Sequence, residues 1–296
     1  MPFKTENVSL SLSCPLYLSC FRGRLLLRGC LVTAAIATAL VAAGSAQSRG
    51  RDAARTGDTW CAGNRNDDRA SFCEVREETI GGVNPLDVDA GTNGGIRVRG
   101  WDRGDALVRT RIMASADTDA EARRLTNSVR VDTAGGRVRA SGPDTTGSGH
   151  WHISFELQVP RTAMLTLNTH NGGISIDDFR GSAQFHAHNG GLSLTNVGGD
   201  LRGDTTNGGV TVSLAGDHWD GTGLDVETRN GGIRLTLPKG YSAELETGTT
   251  HGGFTIDFPV PVQGSLNGRH FTTTLGSGGP KVRAITTNGG VTIRQR

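Results

Sequence analysis

The sequence predicts an all-β protein: a right-handed parallel β-solenoid with coils of about 18–23 residues and one short helix near its N-terminal part. Three observations carry this expectation. Asn-Gly-Gly or a close relative begins at Asn93, Asn171, Asn189, Asn207, Asn230, His251 and Asn288. The first residue after each Gly-Gly is apolar (Ile96, Ile174, Leu192, Val210, Ile233, Phe254, Val291), and so is the next but one (Val98, Ile176, Leu194, Val212, Leu235, Ile256, Ile293). The residue between them is always polar: Arg97, Ser175, Ser193, Thr211, Arg234, Thr255, Thr292. A period of two this regular marks a strand with one buried face.

The first 46 residues read as a secretory signal. Arg22, Arg24 and Arg28 precede the apolar run "LVTAAIATALVAAG" (31–44), and small residues follow, so cleavage is expected after about Ala46. The run is shorter than the roughly 20 residues of a helical span, which argues against a membrane anchor. A start codon further in would shorten the long leader. Without residues 1–46 the chain holds 27 basic and 28 acidic residues, a balance that gives no reason to expect nucleic acid as a partner.

Residues 47–72 form a polar segment, and 73–296 the solenoid. Cys61 and Cys73 are the two cysteines left after the leader is removed. An even count in an exported chain favours a disulfide closing the polar loop 62–72. A metal site competes, but two thiols with no nearby histidine are a weak ligand set. Strands follow at 73–80, 96–100 and 106–114. Residues 117–129 read as a helix capped by Asp117 or Thr118, with Ala122, Leu125 and Val129 on one face. "WHISFELQV" (151–159) alternates cleanly, and "TAGGRVRA" (133–140) reads as a weaker copy of the repeat.

From Asn171 the motif recurs at steps of 18, 18, 23, 21 and 37 residues, the last read as two units with a degenerate turn. Leu165 and Leu167, Ala183 and Phe185, and Leu224 and Val226 supply a second alternating strand before each motif. The turn residues Asn171-Gly172-Gly173, Asn189-Gly190-Gly191, Asn207-Gly208-Gly209, Asn230-Gly231-Gly232 and Asn288-Gly289-Gly290 are expected to be structural. Glycine there is expected to supply positive φ, and the asparagines to stack as an amide ladder.

Repeated T-x-N-G-G-[IV]-x-[VL] units behind a signal peptide resemble the bacterial β-strand-repeat, putative-adhesin family. "CEVRE" (73–77), with a cysteine upstream, resembles its Gram-negative members. The resemblance covers about residues 73–296 and implies an exported, non-enzymatic β-solenoid at the cell envelope, with no catalytic residues to transfer.

Other chemistry is sparse. His170 and His188 occupy equivalent places in consecutive units, with His186 on the same face and Asp204 matching it one coil on. They form a candidate divalent-metal patch; an exposed polar face is the alternative. Gly-Gly is followed by an apolar residue, which excludes the calcium-binding nonapeptide coil. No G-x-S-x-G, Walker loop or H-E-x-x-H occurs. Rows of outward Ser and Thr suit ice or sugars, but also any exposed strand.

The sequence therefore points to a periplasmic or secreted, non-catalytic adhesin-like or scaffolding protein without a cofactor or a membrane span in its mature chain. Its expected partner is an envelope protein or a glycan, and the last strand, 289–296, is a candidate edge for self-association. The alternative is a polysaccharide-acting lyase or hydrolase on the same scaffold.

Overall fold

A computed structural model describes residues 59–61, 69–81, 84–144, 149–259, 266–267 and 269–296; the leader and most of the polar segment lie outside this set. In chain order the elements are β1 (Ala70–Ile80), β2 (Leu86–Asp89), β3 (Ile96–Trp101), β4 (Ala106–Ala116), α1 (Asp119–Ser128), β5 (Arg130–Asp132), β6 (Arg137–Ser141) and β7 (His150–Pro160). The repeats then supply β8 (Met164–Asn171), β9 (Ile174–Asp177), β10 (Ser182–Asn189), β11 (Leu192–Thr195), β12 (Asp200–Asn207), β13 (Val210–Ser213), β14 (Gly223–Asn230) and β15 (Ile233–Leu237). The last elements are β16 (Ala243–His251), β17 (Phe254–Ile256), β18 (Leu266–Asn267), β19 (His270–Leu275), β20 (Lys281–Asn288) and β21 (Val291–Gln295).

These strands form two open sheets: sheet A, in the order β1-β4-β7-β3-β9-β11-β13-β15-β21-β17, and sheet B, in the order β18-β19-β16-β20-β14-β12-β10-β8-β2-β6-β5. Each Asn-Gly-Gly turn carries the chain from sheet B to sheet A, and from β9 to β16 the next turn carries it back each time. Within the repeats every neighbour is parallel, and equivalent residues pair. Ile96, Ile174, Leu192, Val210, Ile233, Val291 and Phe254 form one continuous column across sheet A.

The apolar columns from both sheets fill one core. Of the fourteen residues that define the alternation, twelve are buried; Phe254 and Ile256, on the terminal strand β17, are half-covered. Each fully buried aliphatic or aromatic side chain contributes about 1.5–3 kcal/mol relative to exposure. Removing an outward residue from these strands forfeits little, which is why the sequence tolerates Ser, Thr or Arg there.

The stack does not follow chain order at its end. The Asn288 coil (β20, β21) lies between the Asn230 coil (β14, β15) and the His251 coil (β16, β17). The 37-residue interval is thus not two successive coils. It contains β19, which pairs antiparallel with β16, and β18, which pairs antiparallel with β19. The last strand, β21, lies inside sheet A, so the terminal edge belongs to β17. The expected edge at 289–296 is corrected accordingly.

The other end also departs from a plain solenoid. β1, β4 and β7 extend sheet A in antiparallel pairing, and β3 joins them to the repeats in parallel with both β7 and β9. β1 begins three residues before the expected start at Cys73. α1 starts where the capping residues placed it, with the Thr118 side chain accepting from the Glu121 N–H. The "TAGGRVRA" segment is not a copy of the repeat: the strand after its glycines, β6, lies in sheet B beside β2 instead of in sheet A.

The motif threonine, to which the sequence pattern gives no role, has a clear one. Thr205, Thr228 and Thr286 point inward, and each donates to the first glycine carbonyl of the neighbouring coil (Gly190, Gly208 and Gly231, all 2.7 Å). Thr169 does the same to Gly94. A buried carbonyl is thereby satisfied at a turn where the strand ladder ends. Thr205→Val is expected to lower unfolding free energy by about 1–2 kcal/mol in denaturant titration, with the m-value unchanged.

Candidate binding face

On sheet B the residues between the core positions point outward and align across the stack. Thr166, Gln184, Arg202, Asp225, Arg283 and Glu246 form one row; Asn168, His186, Asp204, Glu227 and Ile285 form the next. Gly203, an inward position without a side chain, leaves room for Phe185: a Cβ there would sit 2.0 Å from the Phe185 ring. A groove of about 660 Å³ crosses this face, lined by Thr166, Gln184, Arg202 and Asp225 of the first row, by Asn168, His186, Asp204 and Glu227 of the second, by Gly203, and by Thr206, Arg229 and Thr287 further along.

Several charges on this face are paired. His186 Nδ1 lies 2.8 Å from Asp204 Oδ2, and Arg283 Nη1 bonds Asp225 Oδ1 and Glu227 Oε1, each at 2.5 Å. Lys281 Nζ bonds Glu246 Oε2 at 3.0 Å, with Arg283 Nε 3.4 Å from the other oxygen of that carboxylate. Burial lowers the Arg283 pKa, but its hydrogen bonds to Asp225 and Glu227 outweigh that and hold the guanidinium above its ordinary value. Partly exposed pairs of this kind add little stability; they fix the orientation of the side chains.

Glu246 gives the face an acid limit. Burial raises its pKa, but the Lys281 hydrogen bond and the charges of Lys281, Arg283 and His270 prevail, leaving it below its ordinary 4.5. A depressed folded-state pKa adds stability that is present above the unfolded value and is lost as pH falls through the folded one. The stability gap between the native chain and Glu246→Gln is therefore expected to be wider at pH 7 than at pH 3. Thermal melts at the two pH values read it.

The turn column borders the groove. Asn171 Nδ2 donates to Asn93 Oδ1 (2.9 Å), and Asn189, Asn207, Asn230 and Asn288 each donate to the asparagine of the neighbouring coil at 2.8 Å. His251 takes the place of asparagine in the terminal coil, paired in register with Asn288.

The glycines beside them differ from expectation. None of Gly172, Gly173, Gly190, Gly191, Gly208, Gly209, Gly231, Gly232, Gly289 and Gly290 has positive φ. Glycine is needed here for close approach. A Cβ on Gly172, Gly190, Gly208, Gly231 or Gly289 would sit 1.9–2.1 Å from the glycine carbonyl oxygen of the adjacent coil. The second glycines have more room, at 3.0–3.5 Å from the nearest such atom for Gly173, Gly191, Gly209, Gly232 and Gly290. Positive φ belongs to the other turn, at Asp178 (56°) and Asn196 (51°), where the Asn196 amide donates to Asp178 Oδ1 at 2.7 Å.

The histidines do not converge. His170 and His188 stack, with ring centroids 4.6 Å apart and planes 9° from parallel, whereas His186 is engaged by Asp204. Among the described residues no group of three or more His, Cys, Asp or Glu side chains is placed to hold a metal ion, which corrects the expectation for His170, His186 and His188. Cys61 and Cys73 are joined by a disulfide, with Cα atoms 5.7 Å apart. Among the described residues no helix is long and apolar enough to cross a membrane.

Two sheets coiled around a shared core, with glycine turns and an asparagine column, define a β-strand-repeat protein. The Toastrack DUF4097 family model matches residues 145–294. The chain belongs to that family. No curated protein matches it. Among solved structures it is similar to a putative cell adhesion protein from Clostridium sporogenes (10% identity, 76% of this chain and 100% of that one, TM-score 0.44). It is also similar to a putative adhesin from Bacteroides fragilis (11%, 76% and 97%, TM-score 0.35) and to a putative lipid binding protein from Parabacteroides distasonis (10%, 75% and 96%, TM-score 0.27).

Proposed function

We propose that this chain is an exported, non-catalytic binding or scaffolding protein of the cell envelope, which holds a protein or glycan partner on the outer face of sheet B. The groove across that face carries the reading. It spans several coils, and its rows of side chains are held in place by ion pairs and by the adjoining amide column. A partner meets a pre-ordered surface and forfeits little side-chain entropy on binding.

The polysaccharide-enzyme alternative has one point in its favour, since Asp204, Asp225 and Glu227 all line the groove. Asp225 and Glu227 are both engaged by Arg283, and Asp204 by His186. The disulfide supports an oxidising compartment. The parallel crossovers support right-handed winding of the coils.

The test compares native protein with Glu227→Arg as bait in envelope extracts, alongside fractionation of the producing cells and turnover assays on envelope and pectin-like glycans. A partner retained by the native face and lost with Glu227→Arg, an exported chain, and no product from any glycan are expected. Turnover, or retention indifferent to the face, overturns the reading.

A further inference from the structure

A second recess lies on the other face of the stack. Where β3, β9 and β11 leave their turns, Gly95, Gly173 and Gly191 follow one another on successive coils without side chains. They floor a slot of about 310 Å³ on the outside of sheet A. Ser175 and Ser193 line it at the coil repeat of about 4.8 Å. Arg97, Arg111, Glu156 and Trp60 also line it.

Trp60 comes from outside the repeats and is held firmly. The neighbouring Cys61 is bonded to Cys73 on β1, and Arg111 Nη1 donates to the Trp60 carbonyl at 3.2 Å. The guanidiniums of Arg111 and Arg109 lie 5.1 and 5.6 Å from the centre of its ring. Glu156, the carboxylate of the slot, is bonded by Arg97 at 3.2 Å and by Arg109 at 2.6 Å, so the local balance is positive. Arg111 Nε is buried without a hydrogen-bond partner.

The chemistry selects among occupants. The floor carbonyls are already used: Gly95, Gly173 and Gly191 accept from Phe155, Ile96 and Ile174 at 2.9, 3.0 and 3.0 Å. A peptide cannot add here as a strand, because β3, β9 and β11 are interior strands paired on both sides. The side chains of the slot are an indole flanked by guanidiniums, a line of hydroxyls at coil spacing and an excess of guanidinium over carboxylate. An aromatic ring takes the apolar face of a sugar, serines meet its hydroxyls, and arginine pairs with a carboxylate.

We propose that this slot binds a linear acidic oligosaccharide, a chain of uronic-acid type, laid along the coil axis with one sugar against Trp60 and its carboxylate toward Arg97 and Arg111. The site shares with the preceding section only the reading of the chain as a binding protein; its residues lie on the opposite sheet.

Calorimetric titration of the native, disulfide-intact chain with an oligogalacturonate tests it, with a neutral oligomannoside and anionic phospholipid vesicles as comparison ligands. Binding of the acidic sugar alone is expected, weakened roughly tenfold or more by Trp60→Ala and severalfold by Arg97→Glu, and unchanged by Glu227→Arg. Arg97 has an exposed side chain, so its variant reports on the ligand even if loss of Trp60 perturbs the disulfide segment. Absence of heat with the acidic sugar, equal affinity for the neutral one, binding confined to vesicles, or indifference to both substitutions overturns the proposal. Because Glu227→Arg disables only the sheet B groove, loss of one site is distinguishable from loss of the other.

Discussion

Gly190→Ala is expected to destabilise the chain by about 3 kcal/mol, while Gly191→Ala, one residue on, costs about 1 kcal/mol or less. Neither glycine has positive φ, so backbone conformational freedom predicts no difference between them. Space does. A methyl on Gly190 would lie 1.9 Å from the Gly172 carbonyl oxygen and 2.3 Å from its carbon, in a backbone that cannot rotate away. A methyl on Gly191 would lie 3.1 Å from the Gly209 oxygen, which a shift of a few tenths of an ångström relieves. To accommodate the first, two coils must part and stretch the bonds between them, including Asn189 to Asn171 and the Gly172 N–H to the Asn189 carbonyl. Chemical denaturation of the two variants reads the difference. Equal costs would return the motif to a requirement for turn conformation.

Trp219→Ala is expected to cost about 3–5 kcal/mol. The step from Asn207 to Asn230 is 23 residues instead of 18, and the longer connection turns Trp219 back into the core, where it is 1% exposed. Phe179 and Val197 are buried on the turns of the two preceding coils, and Trp219 supplies the largest side chain of this end of the core. Its indole N–H donates to the Gly199 carbonyl at 3.1 Å, and that oxygen also accepts from the Gly223 N–H. Trp219→Phe keeps most of the ring and leaves Gly199 one partner, so about 1–2 kcal/mol is expected. Calorimetric melts of the pair separate the cavity from the hydrogen bond. A near-neutral Trp219→Ala would mean that the longer connection packs as a surface loop.

Much of this architecture was legible in the residues. The alternation after each Gly-Gly located the strands of sheet A and the face each buries, since the side-chain period of a strand is two whatever its neighbours are. The ladder asparagines were legible because they recur at one place in the unit, and α1 because Thr118 and Glu121 cap it locally. The groove on sheet B was not visible. Asp204, Asp225, Glu227 and Arg283 lie up to 79 residues apart in the chain and meet only through cross-strand register. The histidine patch was overread: a shared face does not supply a shared ligand geometry, and a stacked ring pair with its neighbour on a carboxylate is what the spacing produced.

Local chemistry by itself determined which residues face inward and where the chain turns, because each depends on neighbours within one coil. Only the tertiary structure decided the rest: that the Asn288 coil inserts before the His251 coil, that the last strand is interior, and that the motif glycines yield to a facing carbonyl and not to a dihedral angle. Those outcomes depend on what lies on the adjacent coil, and parallel stacking assigns that neighbour by the path of the whole chain.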